Sequence, residues 1–290
     1  MVRLAWIGFG EAGAAFAGAL SPDASIGYDR KTDDPRHRAA KLADFAALHV
    51  AAADRVADAV RDADVILSVV TADQALAAAR AAAPHISAGA LWFDMNSVAP
   101  GTKRAAEAAI EAAGGRYVDV AVMAPVLPKR APVPLLLSGE HAEAGAVALR
   151  ALGFADVTVT PGGIGAASAV KMIRSVMVKG IEALSAECVI AADAAGVRDA
   201  VIASLDASWP GADWASRFDY NLDRMMAHGR RRAAEMEEAL ATLRSLGMSG
   251  AMSERTAAWQ RALGELELAP PTGLDAKLEA VRAQRRDIAA

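Results

Sequence analysis

A chain of 290 residues with 54% apolar content is long enough to bury two cores, so two domains are expected. A formal net charge of −4 and a pI near 5.8 give no basic footprint for nucleic acid or for an anionic membrane. The single cysteine, Cys188, excludes an internal disulfide and reads as a reduced core residue; with no charge-free apolar segment of about 18 residues and no signal-peptide features, a soluble cytoplasmic protein is expected.

The first predicted strand, Arg3-Leu4-Ala5-Trp6-Ile7, has the apolar run of a buried parallel strand and ends on Gly8-Phe9-Gly10-Glu11-Ala12-Gly13. In this G-x-G-x-x-G, Gly8 permits a tight turn, Gly10 lets backbone approach a pyrophosphate, and Gly13 lets the next helix lie close to the strand. The amides opening that helix, which runs from Ala12 to Leu20, would meet the anion. A second strand, Ser25 to Asp29, puts Asp29 about 20 residues past the first glycine, where a carboxylate holds the adenosine ribose diol. Its charge repels a 2′-phosphate and so favours NAD. Arg30 and Lys31, next in line, offer the cations NADP needs, so NADP stays open as the second choice.

Helical and strand-like stretches then alternate, as in a doubly wound sheet. Arg36 to Ala47 is helical, a short strand follows near His49, and Arg55 to Arg61 is helical again. The strand Asp64 to Val70 ends at Thr71-Ala72-Asp73, where ligands collect in such sheets, although Thr71 with Asp73 equally suits a helix cap. Ala90 to Asp94 is the next strand, and Asn96 and Ser97 lie between it and a helix beginning near Lys103, with Pro100 suited to a helix start. They either contact a carboxylate or cap that helix. Arg116 to Val122 is a strand, followed by a proline-rich loop carrying Lys129 and Arg130, which read as solvated charges. Pro134 to Ser138 and Val157 to Thr160 are later strands, separated by a helix from Ala142 to Leu152.

Composition changes at Pro161-Gly162-Gly163-Ile164-Gly165, which predicts domains of residues 1–162 and 163–290. No strand is predicted beyond it. Ala166 to Ala195 reads as one helix with an apolar stripe of Val170, Ile173, Met177, Ile181, Leu184 and Cys188. Further helices are predicted over Asp199 to Leu205, Asp213 to Ala227, Arg230 to Leu246, Glu254 to Leu263 and Leu274 to Arg286. Arg230 to Arg232 with Glu235, Glu237 and Glu238 read as a solvated, ion-paired face.

Lys171 is the leading candidate for chemistry. It lies just past the glycine hinge, with Arg174 and Ser175 expected on the same side of the helix. Desolvation there would lower its pKa towards neutrality and let it exchange a proton with a hydroxyl or carbonyl. Residues alone leave open that Lys171 is a surface or salt-bridging lysine. No His, Cys, Asp or Glu spacing suggests a metal.

Gly8 to Gly13, Asp94 to Pro100, Asp119 to Val122 and Gly165 to Lys171 occur in the order and spacing of the β-hydroxyacid dehydrogenase family, which the chain resembles along essentially its whole length. Lys171 to Met177 and His228 to Arg232 look most like a branch named only as 6-phosphogluconate dehydrogenase-like oxidoreductases. The resemblance implies an N-terminal Rossmann domain, a long interdomain helix and an all-α C-terminal domain. It makes Lys171 the acid/base, Ser97 a contact to nicotinamide and substrate, and Val70-Thr71 the loop beside the cofactor. The chain departs from the family in three places. Met123-Ala124-Pro125 stand where the family has a serine and paired glycines, Ser175 stands for an asparagine, and His228 stands where a lysine near the cofactor is common. Arg174 could replace lost carboxylate contacts or bridge to an acid.

The expected activity is hydride transfer between NAD(P) and a small β-hydroxy acid or polyol acid. The alternatives are a cofactor-binding regulator without turnover and an imine reductase-like enzyme. The helical half is expected to form a homodimer or a higher homo-oligomer through surplus apolar surface.

Overall fold

The computed structural model describes residues 2–20 and 24–284. Its strands β1 (Arg3–Ile7), β2 (Ala24–Tyr28), β3 (Ala51–Ala52), β4 (Val65–Ser68), β5 (Leu91–Asp94), β6 (Arg116–Val122), β7 (Leu135–Ser138) and β8 (Val157–Val159) form one sheet in the order β3-β2-β1-β4-β5-β6-β7-β8. Neighbours are parallel except β6 and β7. Between those two the connection is too short for a crossover helix, so the chain turns back on itself. The helices α1 (Glu11–Ala17), α2 (Pro35–Ala47), α3 (Val56–Val60), α4 (Ala75–Ala82), α5 (Pro100–Ala112), the single turn α6 (Val126–Lys129) and α7 (Ala142–Leu152) fill the connections.

The two-residue period of a strand splits β1 between two cores. Leu4 and Trp6 pack with Phe16 of α1, Phe45 of α2, and Ala146 and Leu149 of α7. Ala5 and Ile7 pack on the opposite face with Val60 of α3, Ala79 of α4 and Ile110 of α5. Helices therefore cover both faces, as expected of a doubly wound Rossmann sheet.

The chain divides into two compact units, Met1–Lys171 and Met172–Ala290. Composition suggests a boundary at Gly162 and Gly163; the division falls instead within α8 (Ala166–Ala194), because hydrogen bonds hold the first turn of that helix to the sheet. Asp119 on β6 accepts from the amides of Gly165 and Ser168, each at 3.1 Å, and Ser138 Oγ accepts from Ala167 N at 3.0 Å.

The second unit contains the rest of α8 with α9 (Arg198–Ser208), α10 (Trp214–Ser245), α11 (Ala251–Glu265) and α12 (Leu274–Ala283), and it has no strand among the described residues. The expected end of the last helix at Arg286 lies outside the described residues. Two expectations are corrected here, the break between two helices after Ala227 and the solvated placement of Arg232. Asp213 to Ala227 and Arg230 to Leu246 are one helix, α10, because Gly229 serves close packing and does not break the helix. A Cβ there would meet the Gln260 carbonyl and lie 2.7 Å from Gly264 N. The apolar stripe of α8 faces outward, with Ile173, Met177, Ile181 and Leu184 exposed by 48%, 65%, 40% and 65%. Its buried face carries Ser175, Lys179, Glu182 and Ser185, each matched by a polar partner. Lys179 pairs with Glu235 at 3.0 Å and Asn221 donates to Ser185 at 2.8 Å. Arg232 is buried against Glu182, whereas Arg230 and Arg231 are exposed and pair with Glu267 and with the expected Glu235.

The Gly229 crossing leaves no space for a methyl group. Gly229→Ala is expected to destabilise the protein by about 3 kcal/mol, as overpacking against backbone does, measured by urea denaturation followed by circular dichroism.

Candidate active site

Gly8 adopts φ +87°, and a Cβ there would lie 2.8 Å from both Val69 O and Val70 Cγ1, so glycine alone fits. A Cβ on Gly13 would lie 3.0 Å from Gly8 O, which is the close approach of helix to strand expected from sequence. Gly10 differs: it is exposed, and nothing lies within 4 Å of where its Cβ would be. This cradle leaves space for a bulky anion at Gly10, the cap residue of α1, beside the amides of Glu11 and Ala12, which have no acceptor within the helix.

The Phe9 ring is buried and stacks on Phe45 at 4.3 Å, its amide donates to Asp29 Oδ2 at 2.7 Å, and its carbonyl accepts from Lys41 Nζ at 2.7 Å. Asp29 itself is buried, and its Oδ1 accepts from Lys31 N at 2.9 Å. Arg30 is exposed and donates to the Gln74 side-chain oxygen. Val70 and Thr71 follow β4, and hydrogen bonds from the Thr71 hydroxyl and the Gln74 amide hold the Asp73 carboxyl below its ordinary pKa.

Beyond β5 a buried polar network sets the position of Ser97. Asp94 pairs in register with Asp119 on β6, and Lys103 of α5 lies between the two carboxylates at 3.0 and 3.3 Å. Asp94 also accepts from Asn96 Nδ2 and from the Tyr117 hydroxyl, each at 2.7 Å. Burial first, then the charge of Asp94, raises the Tyr117 pKa well above that of a free phenol. Asn96 Nδ2 reaches Ser68 Oγ at 3.0 Å as well, which leaves Asn96 Oδ1 buried without an acceptor role filled. Next along the chain, half-buried Ser97 accepts a hydrogen bond from Lys171 Nζ, in the second turn of α8. The expected pair Ser97 and Lys171 is thus brought together within the first unit.

Sequence reasoning missed Lys103, Asp119 and the structural part of Asn96. The available sign was two aspartates, Asp94 and Asp119, inside otherwise apolar strands, where a buried carboxylate requires a partner.

The remaining candidates are spread over both units. Met123 and Ala124 are half-buried after β6, with Met123 N bonded to Pro134 O at 2.9 Å, and Pro125 is exposed at the start of α6. In the second unit Arg174 is exposed, and Ser175 is buried and accepts from Lys179 Nζ at 3.1 Å. Those two residues therefore do not share a side of α8. His228 is half-buried in α10. Among the described residues there is no group of three or more His, Cys, Asp and Glu suited to a metal ion, and no helix is long and apolar enough to cross a membrane.

Residues 3–148 match the NAD binding domain of 6-phosphogluconate dehydrogenase, and residues 192–263 match a domain of unknown function, DUF1932. The chain belongs to the β-hydroxyacid dehydrogenase family. Its first unit is an NAD(P)-binding domain. Among solved structures the chain is similar to the conserved hypothetical protein from Sinorhizobium meliloti 1021, at 37% identity over 98% of this chain and 97% of that one, with a TM-score of 0.75. A conserved protein of unknown function, described as structurally similar to 3-hydroxyacid dehydrogenases, is 28% identical over 96% of this chain and 99% of that one, with a TM-score of 0.72. The 3-hydroxyisobutyrate dehydrogenase of Mycobacterium tuberculosis, solved with L-serine, shares the fold at 17% identity over 98% and 99% of the two chains, with a TM-score of 0.75. No curated protein sequence matches the chain.

The open space at Gly10 separates binding from stability. Gly10→Val should leave the melting temperature unchanged and weaken NADH and NADPH binding by about tenfold or more in fluorescence titrations.

Proposed function

We propose that this family member transfers hydride between the nicotinamide of NAD(P) and a small β-hydroxy acid or related polyol acid, with Lys171 as general acid and base. The observation that carries the reading is the hydrogen bond from Lys171 Nζ to Ser97 Oγ, in the same unit as the glycine loop. The nicotinamide, when bound, accepts or donates the hydride at C4. In oxidation, neutral Lys171 takes the proton of the substrate hydroxyl as the neighbouring C–H bond gives up hydride and the carbonyl forms. In reduction its ammonium returns that proton to the carbonyl oxygen. Ser97 accepts from Lys171 and can still donate its own hydroxyl proton, so it aims the amine while offering a second contact to the reacting oxygen.

With Met123, Ala124 and Pro125 in place of the family's serine and glycines, the contacts to the substrate carboxylate are rebuilt from these residues together with Ser97. Arg174, exposed on α8, is assigned to the substrate side as the residue that could replace the lost carboxylate contacts. Ser175 and His228 are assigned to the substrate and cofactor sides respectively, as the resemblance implies. The outward apolar stripe of α8 supports a homodimer in which a second copy covers Ile173, Met177, Ile181 and Leu184.

Lys171→Met is expected to retain NAD(P)H binding and to lose turnover by about a hundredfold or more on a panel of hydroxy acids and their oxidised counterparts, assayed with both cofactors. Near-normal turnover in that variant rejects the role of Lys171. A wild type that binds cofactor and turns over nothing on the panel would favour a regulator. Light scattering at micromolar concentration should give the mass of two chains; a monomer rejects the dimer.

A further inference from the structure

We infer that Lys41 is a positioning residue for the nucleotide site, holding the Phe9–Gly10 peptide in the orientation that turns the Gly10 amide towards a bound pyrophosphate. This rests on the reading of Gly10 as the place of that anion and adds to it what keeps the loop ready before the ligand arrives.

A lysine is rarely buried unless its charge is matched, and Lys41 of α2 is only 8% exposed. Its ammonium has two partners, the Phe9 carbonyl and Asp44 Oδ2, each at 2.7 Å. Phe45, one turn further along the same face of α2, stacks on the Phe9 ring with centroids 4.3 Å apart. The helix reaches this depth because β2 offers Gly27 beneath it, where a Cβ would lie 2.5 Å from Phe45 Cε1. Two successive turns of one helix therefore grip a single residue of the glycine loop, one at its carbonyl and the other at its ring. The amide of that residue is held separately, donating to Asp29 Oδ2 at 2.7 Å.

The consequence falls on the next residue. In a trans peptide the N–H points away from its own C=O, so a Phe9 carbonyl drawn inward to Lys41 sends the Gly10 N–H outward. On that outward side Gly10 is exposed, with nothing within 4 Å of where its Cβ would be. The ammonium on the carbonyl also polarises the peptide, which makes the N–H at its other end a stronger donor.

Gly10 cannot supply this orientation itself. The missing side chain that gives an anion its room also leaves the peptide before it free to turn over, because glycine tolerates both arrangements. A turned peptide would present a carbonyl oxygen to the phosphates in place of an amide. Lys41 removes that freedom from a distance of 32 residues in sequence, and a loop ordered in advance binds more tightly because less ordering is left for the ligand to bring about.

The test is calorimetric titration of the full chain with ADP, NADH and NADPH, on variants whose fold is checked by circular dichroism. Lys41→Met keeps the apolar stem and removes the donor, and it should weaken all three ligands alike by about tenfold. Lys41→Arg, which can still donate to the carbonyl, should recover most of that loss. Asp44 is exposed, and Asp44→Asn removes the ion pair while leaving the ammonium on Phe9, so affinity should stay within about twofold of wild type. If Lys41→Met does not fold, Lys41→Gln, which keeps a neutral donor on a shorter stem, takes its place with a smaller expected loss. A folded Lys41→Met or Lys41→Gln protein that melts lower but binds ADP as wild type does gives the lysine a role in stability alone and overturns the inference. So does an Asp44→Asn protein as weakened as Lys41→Met. Wild type that binds none of the three ligands, or a Gly10→Val protein that binds ADP normally, overturns the reading of the site and Lys41 with it.

Discussion

The Asp119 carboxylate, reaching from the sheet to the opening turn of α8, is the contact on which the candidate site depends. One of its oxygens accepts from Ser138 Oγ, Gly165 N and Ser168 N, each at 3.1 Å; the other accepts from Ser168 Oγ at 2.6 Å. A helix begins with amides that have no acceptor of their own, and here a strand supplies the acceptor from 46 and 49 residues away. Gly165 makes the approach possible with φ +98°, at a point where a Cβ would lie 2.8 Å from Pro100. Lys171 lies three residues past Ser168, so fixing the first turn fixes the height and direction from which the amine meets Ser97.

The same carboxylate connects that helix to the strand ends that carry ligands in doubly wound sheets. Asp94 and Asp119 are neighbours in register, and side by side they would repel. Lys103, fully buried between them, offsets one of the two charges and also donates to the Asp94 carbonyl at 2.5 Å. Unpaired, either carboxylate would be costly to bury; together with Tyr117, Asn96, Ser138 and Ser168 their lone pairs are filled. The exception in this network is Asn96 Oδ1, a buried acceptor still open beside Ser97.

Much of the first unit was legible in the sequence because parallel strands covered on both faces are written as continuous apolar runs ended by glycine or small polar residues. Arg116 to Val122 and Ala142 to Leu152 match their elements end to end. The glycine loop was equally plain, since each glycine answers a local steric demand. What sequence did not reveal were pairings across long separations. Glu182 meets Arg232 and Gln260, 50 and 78 residues on, and this turns the polar side of α8 inward. Helical periodicity finds two faces on such a helix but not which one is covered. Gly229 misled for a related reason: glycine in a helix reads as a break, yet α10 needs it for the close crossing with Gly264 of α11.

On the proposed function, these placements separate the residues assigned to chemistry from those assigned to substrate choice. The glycine loop, Ser97 and Lys171 all belong to one compact unit, in which a buried network of carboxylates holds the segments carrying Ser97 and Lys171. A network of that kind tolerates little change, because removing one member leaves another charge or donor unpaired in the interior. Met123, Ala124, Pro125, Arg174 and Ser175, by contrast, supply none of the side chains bonded to the Asp94 and Asp119 carboxylates. Met123 and Ala124 are only partly covered, Pro125 and Arg174 are exposed, and Ser175 is bonded to Lys179 in the other unit. On the proposed function, exchanging such residues would alter what is bound without disturbing the Lys171 amine and the Ser97 hydroxyl. This accounts for a chain that departs from its family at the serine, glycine and asparagine positions while keeping the lysine and serine paired.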